Sequence, residues 1–346
     1  MNETLCLILG ILTIGLGIYD LLYTTFAPRG AGIVSGFTST FIWRVFLGLS
    51  SLLKTRKALA GAGILIIMAT IFGWVFLLWI GNALVFLSDA DAVVDSTSEV
   101  PADAWDRVYF TGYILSTLGN GDLKGGTEPW RIYSAFISFS GLILITIAIS
   151  YMVPILSAVT ERRTLSIRIA SLGHSPQQML LNNWNGTDFK QLEEHFDGLA
   201  QPVAKQGQLH LAYPLLHYFY NAEKSTALLP NLAALDEALT ILLLYVSEDK
   251  RPSSQSMLPL RHALTTFLDS LTTITPDPAS LEEPKLDIKQ LVDSKVTLLQ
   301  PEAKKIEQLR KRRKFLNAML AYVGWRWDEV TETKFINDLD LQDINY

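Results

Sequence analysis

The sequence predicts an all-α membrane protein whose C-terminal half is a helical cytoplasmic domain. Hydrophobic residues make up 49% of the 346 residues, charged residues only 18%, and the mean hydropathy is +0.25. A soluble protein of this length is usually less apolar and more charged. The charges are also unevenly placed, since residues 1–164 carry 10 of the 29 Lys and Arg and 11 of the 34 Asp and Glu. The chain therefore divides into an apolar half and a polar half.

The composition excludes several functional classes. A net charge of −5 argues against nucleic-acid binding, which needs a basic surface to replace the counterions of phosphates. Cys6 is the only cysteine, so neither an intramolecular disulfide nor a zinc site built from cysteines is possible. No arrangement of nucleophile, general base or phosphate loop is visible. We therefore predict neither an enzyme nor a bound cofactor.

Three segments are long and apolar enough to cross a hydrocarbon core, which takes about 20 helical residues. They are residues 5–26, 58–87 and 132–160. The second and third contain no charged residue, whereas the first contains only Asp20, which we expect to reach interfacial water near the end of its span. Glu3 replaces the basic start of a signal peptide, so we expect the first helix to be retained.

The flanking charges predict the orientation of these spans. Basic residues lie between the first and second spans and after the third: Arg29, Arg44, Lys54, Arg56, Lys57, Arg162, Arg163 and Arg168. Acidic residues lie between the second and third: Asp89, Asp91, Asp95, Glu99, Asp103 and Asp106. We expect the N-terminus outside and the C-terminal half in the cytoplasm. Residues 33–53 carry Arg44 and are interpreted as an interfacial cytoplasmic helix. A fourth span there would place the N-terminus inside.

Residues 101–131, between two uncharged spans, carry the pattern with the clearest chemistry. Pro101 and the following acidic residues predict a helix start, and residues 108–115 continue that helix. Glycines at 119 and 121 then favour an extended loop. Such backbone is tolerated at membrane depth only where it is buried in protein or lines a water-filled path.

Residues 116–122, with the sequence STLGNGD, resemble the selectivity filter of the potassium channel family, whose usual pattern is Thr-(Val/Ile)-Gly-(Tyr/Phe)-Gly-Asp. The resemblance extends over about 100 residues, from 58 to 160, and includes the order of outer helix, pore helix, filter and inner helix. It implies a pore-loop cation channel fold, with four copies of the chain around one pore. The implied regions are a pore domain at 58–164 (outer helix 58–87, pore helix and filter 103–122, inner helix 131–160), preceded by an N-terminal region at 1–57 and followed by the cytoplasmic domain at 165–346.

The resemblance implies that backbone carbonyls of the filter replace the water shell of potassium, the permeant ion. The residues concerned are Thr117, Leu118, Gly119, Asn120, Gly121 and Asp122, with Asp122 at the outer mouth. Asn120 stands where the family has an aromatic residue that packs against the pore helix. The filter width must therefore rest on other contacts. A less selective cation pore is one alternative, and a non-conducting membrane-anchored sensor or scaffold is another.

The inner helix carries candidate gating residues. Gly141 lies where the family commonly has a hinge glycine, and Pro154 can kink the helix near its cytoplasmic end. Helical spacing places Ile145, Ile149 and Val153 near the same face as Gly141, where they would line a cavity and gate by dewetting. In the alternative interpretation these aliphatic residues face lipid or a neighbouring helix, and Gly141 allows close packing.

The cytoplasmic half shows helical periodicity without a recognisable ligand site. Predicted helices cover about 176–184, 188–206, 209–221, 226–247, 257–273, 286–299 and 301–323. We expect a loop at 275–284 and a polar tail at 327–346. The basic run at 310–314 is interpreted as a solvated helix face, with contact to anionic lipid as the alternative. The resemblance places the protein in a bacterial inner membrane.

Overall fold

The computed structural model describes residues 2–27, 31–272 and 282–332. It is mostly helical, which confirms the predicted all-α class. The described residues form two compact units. The first is built from the ranges 1–52, 61–157 and 212–219, and the second from 53–60, 158–211 and 220–332.

Four long helices carry the apolar part of the chain: α1 (Glu3–Phe26), α2 (Ile33–Leu53), α3 (Ala62–Leu87) and α5 (Glu128–Ala170). Each is long and apolar enough to cross a membrane. A 3-10 turn at Arg56–Gly61 precedes α3. The inner helix α5 continues well beyond the predicted end at residue 160. The charges at 161–163 end the apolar span, but they do not end the helix, because Glu and Arg are good helix formers.

Helices α1 and α3 are antiparallel and closely packed. A Cβ atom on Gly10 would lie 2.8 Å from the Gly81 carbonyl oxygen, and one on Gly17 would lie 3.1 Å from the Leu77 Cβ. Glycine at these positions lets the two backbones approach, as is common between helices in membranes.

The expectation that Asp20 reaches interfacial water is wrong, since Asp20 is fully buried. Its carboxyl oxygens accept hydrogen bonds from the Val34 amide at 2.7 Å, from the amide and hydroxyl of Ser35, and from the Trp74 indole at 2.8 Å. Two of these partners are backbone amides at the start of α2, which have no partner within their own helix. Asp20 therefore caps α2 and attaches it to α1 and α3.

The position of α2 along α3 follows from two contacts. Its start lies beside Asp20, which is bonded to Trp74 in α3. Farther along α2, Phe46 lies 3.7 Å from a Cβ atom built on Gly61, just before α3 begins. Helix α2 therefore runs in the same direction as α1 and antiparallel to α3.

The second unit is a set of helices around α8. Its elements are α6 (Pro176–Asn182), α7 (Leu192–Ala212), α8 (Leu228–Tyr245), α9 (Ser254–Ser270), α10 (Lys289–Asp293), α11 (Ala303–Tyr322) and α12 (Trp327–Thr331). Helix α8 is apolar enough to span a membrane, but 89% of its most apolar window is buried inside the protein. It is therefore the core of this unit.

Several predicted boundaries in this half are wrong. The helix predicted at 209–221 does not form, because α7 extends to Ala212 and Pro214 then begins a 3-10 turn (Pro214–Tyr218). The helix predicted at 286–299 is reduced to the short α10. The first residues of the predicted polar tail form the short helix α12. Residues 275–281 of the predicted loop, residues 333–346 of the tail and Arg29 lie outside the described residues.

The expectation of a solvated face is wrong for Arg312 and Arg313 of the basic run 310–314, whereas Arg310 and Lys311 are exposed. Arg313 is 5% exposed and pairs with Glu237 of α8 through two hydrogen bonds of 2.8 and 2.9 Å. Arg312 pairs with Asp236, which also accepts a bond from Arg261 of α9. Burial raises the pKa of the Glu237 carboxyl group, and the bond from Arg313 opposes this effect. Arg312 and Arg313 therefore attach α11 to the core helix.

Candidate ion-conducting pore

The loop between α3 and α5 contains a short helix, α4 (Ala104–Leu115). Asp103 caps its start by accepting a 2.8 Å hydrogen bond from the Asp106 amide. The Trp79 indole of α3 donates a 3.0 Å bond to the Val108 carbonyl, and Phe110 packs edge-on against Phe86, with ring centroids 5.3 Å apart. These contacts hold α4 against the outer helix α3.

The first residues after α4 are bonded back to its last turn. The amides of Ser116, Thr117 and Leu118 donate to the carbonyls of Gly112, Ile114 and Tyr113 at 2.9–3.0 Å. Helix α4 therefore ends in a tight turn. Residues 117–121, called the filter segment below, therefore begin at a position that is fixed by α4.

The filter segment has an alternating backbone conformation. Its φ angles are +61° at Thr117, +60° at Gly119 and +81° at Gly121, whereas Leu118 and Asn120 keep negative φ. A backbone in which φ alternates in sign can turn successive carbonyls toward the same side of the strand. Positive φ costs a glycine little, but it is strained for the β-branched Thr117. Such strain is concentrated at functional sites in proteins.

The other end of the filter segment is held by a small two-stranded sheet. Strand β2 (Leu123–Gly125) follows the filter segment and pairs antiparallel with β1 (Val93–Asp95), a sheet that the sequence analysis did not predict. The Ser96 amide donates a 2.8 Å bond to the Asp122 carbonyl, and the Tyr113 hydroxyl donates a 2.8 Å bond to the Leu123 carbonyl. The filter segment is therefore attached at both ends.

Asn120 is attached to the pore helix by a hydrogen bond. Its side-chain amide donates to the Tyr109 hydroxyl of α4, and the Tyr109 ring lies edge-on to Tyr113 with centroids 5.1 Å apart. The sequence showed that an aromatic partner is missing at position 120. It did not show that the shorter amide reaches a tyrosine, because that bond depends on the placement of α4. The contact that holds the middle of the filter is thus polar.

Gly141 of α5 lies against the end of the pore helix. A Cβ atom at this position would be 1.9 Å from the Leu115 carbonyl oxygen, and the backbone of Leu115 supplies all three of the nearest atoms. This contact favours the close-packing interpretation of Gly141. Pro154 lies inside the continuous α5, and Ile145, Ile149 and Val153 have exposed fractions of 48%, 53% and 54% in the single chain.

Two carboxylates near the end of the filter segment are fixed by local bonds. Asp95 accepts hydrogen bonds from Ser98 and from the Thr97 amide, which lower its pKa. Lys124 bonds to Glu99 at 2.9 Å and lowers its pKa. Both groups therefore stay ionised at neutral pH, and Asp95 adds negative charge near Asp122, whereas the charge of Glu99 is balanced by Lys124.

The described residues contain no group of three or more His, Cys, Asp or Glu side chains that could hold a metal ion. The pore region, by contrast, is recognised by comparison with known proteins. Residues 64–158 match a protein family described as ion channel. The chain is thus a multi-pass membrane protein with an ion-channel domain, a transport protein and not an enzyme.

One curated relative extends the comparison to almost the whole chain. The chain is 30% identical over 330 residues to the uncharacterized membrane protein YdjJ of Bacillus subtilis (strain 168), covering 94% of this chain and 96% of the relative. The chain therefore belongs to the family of YdjJ. No solved structure matches it.

Proposed function

We propose that the protein is a homotetrameric cation channel that prefers potassium. The alternating backbone of residues 117–121, attached at both ends, carries this proposal. Carbonyls on one side of such a strand are suitable ligands for a dehydrated monovalent cation. The fixed ends keep the carbonyls in place when an ion enters or leaves.

The number of copies follows from the single filter segment in each chain. One strand offers carbonyls on only one side of an ion, so several copies around a rotation axis are needed to surround it. In the single chain, residues 116–122 lie exposed at the surface, and the Leu118 side chain is 67% exposed. This exposure supports a rotation axis beside the filter, where other copies of the chain would cover the exposed residues. Four copies match the architecture that the filter resembles.

The proposed orientation has the N-terminus outside and the second unit in the cytoplasm of a bacterial cell, in the inner membrane. Two observations support it: α1 is antiparallel to α3, and the basic residues Lys54, Arg56 and Lys57 precede α3. Because α2 runs in the same direction as α1, it does not reverse the N-terminus. The acidic loop that holds α4 and the filter then faces the outside.

The proposed gate is the exposed face of α5 formed by Ile145, Ile149 and Val153. Aliphatic side chains around a narrow passage exclude water and thereby stop ions. Gly141 serves close packing against Leu115, and bending is assigned to the region of Pro154, where an intrahelical hydrogen bond is missing.

The direct test is recording of single channels from purified protein in a planar bilayer under opposed potassium and sodium gradients. We expect a reversal potential near the potassium equilibrium value, and loss of current in Gly119→Ala. Gly186→Ala is the matched control, because Gly186 also has positive φ and open space but lies in the second unit. Alanine costs about 1 kcal/mol at either site, but only the filter variant should lose conduction.

Other results would contradict parts of the proposal. A reversal potential near zero would indicate a cation pore without selectivity. Absence of current from a purified tetramer under all conditions, including a variant with Ile149→Ala and Val153→Ala to widen the gate, would favour the non-conducting scaffold.

Ion selectivity is expected to depend on the bond between Asn120 and Tyr109. Tyr109→Phe removes the hydroxyl acceptor and keeps the ring, so the potassium-to-sodium permeability ratio should fall about fivefold, as expected for loss of about 1 kcal/mol from one hydrogen bond. Asn120→Ala should lower the ratio to a similar extent, and the double variant should be no worse than either single one. Tyr23→Phe in α1 serves as the control. Additive effects of the two filter substitutions would show that the bond does not set selectivity.

A further inference from the structure

The short segment between α2 and α3 belongs to the second unit. Residues 53–60 cluster with the helices after residue 158, although they lead directly into the outer helix α3. The chain turns at Lys54, which has a φ of +51°, and Leu59 is 1% exposed beside Gly324 at the turn between α11 and α12. The segment is therefore docked on the C-terminal part of the chain.

Arg56 makes the main polar contact of this segment. Its guanidinium group donates two hydrogen bonds, of 2.7 and 2.9 Å, to the carboxylate of Glu329 in α12. It also lies 5.0 Å from the centre of the Trp325 ring, which is 6% exposed. A two-point bond from arginine to a carboxylate fixes distance and direction together. This ion pair is therefore more directional than an ordinary surface contact.

Glu329 is itself held in place. The Arg326 amide donates a 2.9 Å bond to its carboxylate, and the Lys224 ammonium group donates to the Glu329 and Val330 carbonyls. Burial alone would raise the pKa of Glu329, but the bonds from Arg56 and Arg326 outweigh it and lower the pKa. The pair consequently stays ionised at neutral pH.

The ion pair of Arg56 and Glu329 also lies close to the segment that follows the inner helix α5. A cleft of about 530 Å³ is lined by Arg56 and Glu329 and also by His174, which follows the end of the inner helix α5. Residues just before the outer helix and just after the inner helix thus line the same cleft as this ion pair.

We propose that the pair of Arg56 and Glu329 is a regulatory latch through which α12 controls opening of the pore. This inference rests on the proposed channel function. When the pair is formed, the segment 53–60, which leads directly into α3, is restrained by α12. When it is broken, α3 is released from that restraint, and the equilibrium between open and closed pore changes.

The test combines single-channel recording with hydrogen exchange on the full-length protein. Arg56→Ala and Glu329→Ala should each change the ratio of open to closed time about tenfold and in the same direction, a usual size for coupling between sites. The double variant should show no further change, because both single substitutions break the same pair. Amides of residues 55–60 should exchange faster in all three. Lys305→Ala, which breaks the exposed pair with Glu302, is the control and should change neither measurement.

Hydrogen exchange and single-channel recording test the latch and the channel function separately. Unchanged exchange of residues 55–60 in Glu329→Gln and Glu329→Ala would overturn the latch, because the pair would not be restraining the segment. Faster exchange with an unchanged open-to-closed ratio would also overturn it, since the restraint would not act on the pore. A wild-type protein that passes no ions would contradict the channel function and with it the latch as a regulator of opening, whereas the exchange data would still report whether the pair restrains the segment.

Discussion

Gly141→Ala is expected to abolish ion conduction. The added Cβ would lie 1.9 Å from the Leu115 carbonyl oxygen, and real Cβ atoms essentially never approach another heavy atom within 3.0 Å. The atoms that the Cβ would meet belong to the backbone of Leu115, so no side chain can rotate away. Helix α5 must therefore move relative to the end of α4. Overpacking of this kind costs about 1–3 kcal/mol. The larger consequence is displacement of the turn from which the filter starts.

The measurement is current in a planar bilayer, together with the elution volume of the protein in detergent. Gly73→Ala is the control, because this substitution lies in α3 and a Cβ there would meet nothing within 4 Å. We expect Gly73→Ala to conduct like the wild type. Normal current in Gly141→Ala would show that the contact with Leu115 does not position the filter, and would restore the hinge interpretation of Gly141.

Arg313→Met is expected to destabilise the second unit by about 3–5 kcal/mol, because it leaves the carboxylate of Glu237 buried without its partner. Glu237 is 2% exposed. Arg310→Met is a matched control in the same basic run, since the Arg310 side chain is 47% exposed. Its ion pairs with Glu283 and Glu307 are worth less than about 1 kcal/mol each at such exposure.

The free energy of unfolding of the full-length protein, measured in urea by tryptophan fluorescence, checks this prediction. Adding Glu237→Met to Arg313→Met should recover most of the lost stability, because two apolar groups of similar length replace both charges. Equal effects of Arg313→Met and Arg310→Met would refute the assignment of Arg313 to the core. A double variant as unstable as Arg313→Met would indicate that packing, not charge, is responsible.

Sequence reasoning was most successful where the physical signal is local. The apolar runs at 5–26, 58–87 and 132–160 correspond to helices, because a long uncharged segment has few alternatives. The filter was predicted from seven adjacent residues, and the glycines at 119 and 121 adopt the positive φ that the motif suggested. The pore helix before them was likewise indicated by its own capping residues.

Contacts between residues that are far apart in the sequence could not be predicted. Asp20 and its partner Trp74 are far apart in sequence, so the burial of Asp20 could not be read from α1 alone. A basic run is usually solvated, and the pairing of Arg313 with Glu237 becomes visible only when α11 is placed on α8. The bond between Asn120 and Tyr109 was missed for the same reason.

The burial of Asp20 has a consequence for how the chain is made. Its hydrogen-bond donors belong to Val34, Ser35 and Trp74, all of which leave the ribosome after α1. Inserting an aspartate without partners costs up to about 3 kcal/mol at the centre of a helix and less near its end. Helix α1 therefore gains its full stability in the bilayer only once α3 has been synthesised and inserted beside it. One carboxyl group thus makes the stability of α1 depend on the two helices that are synthesised after it.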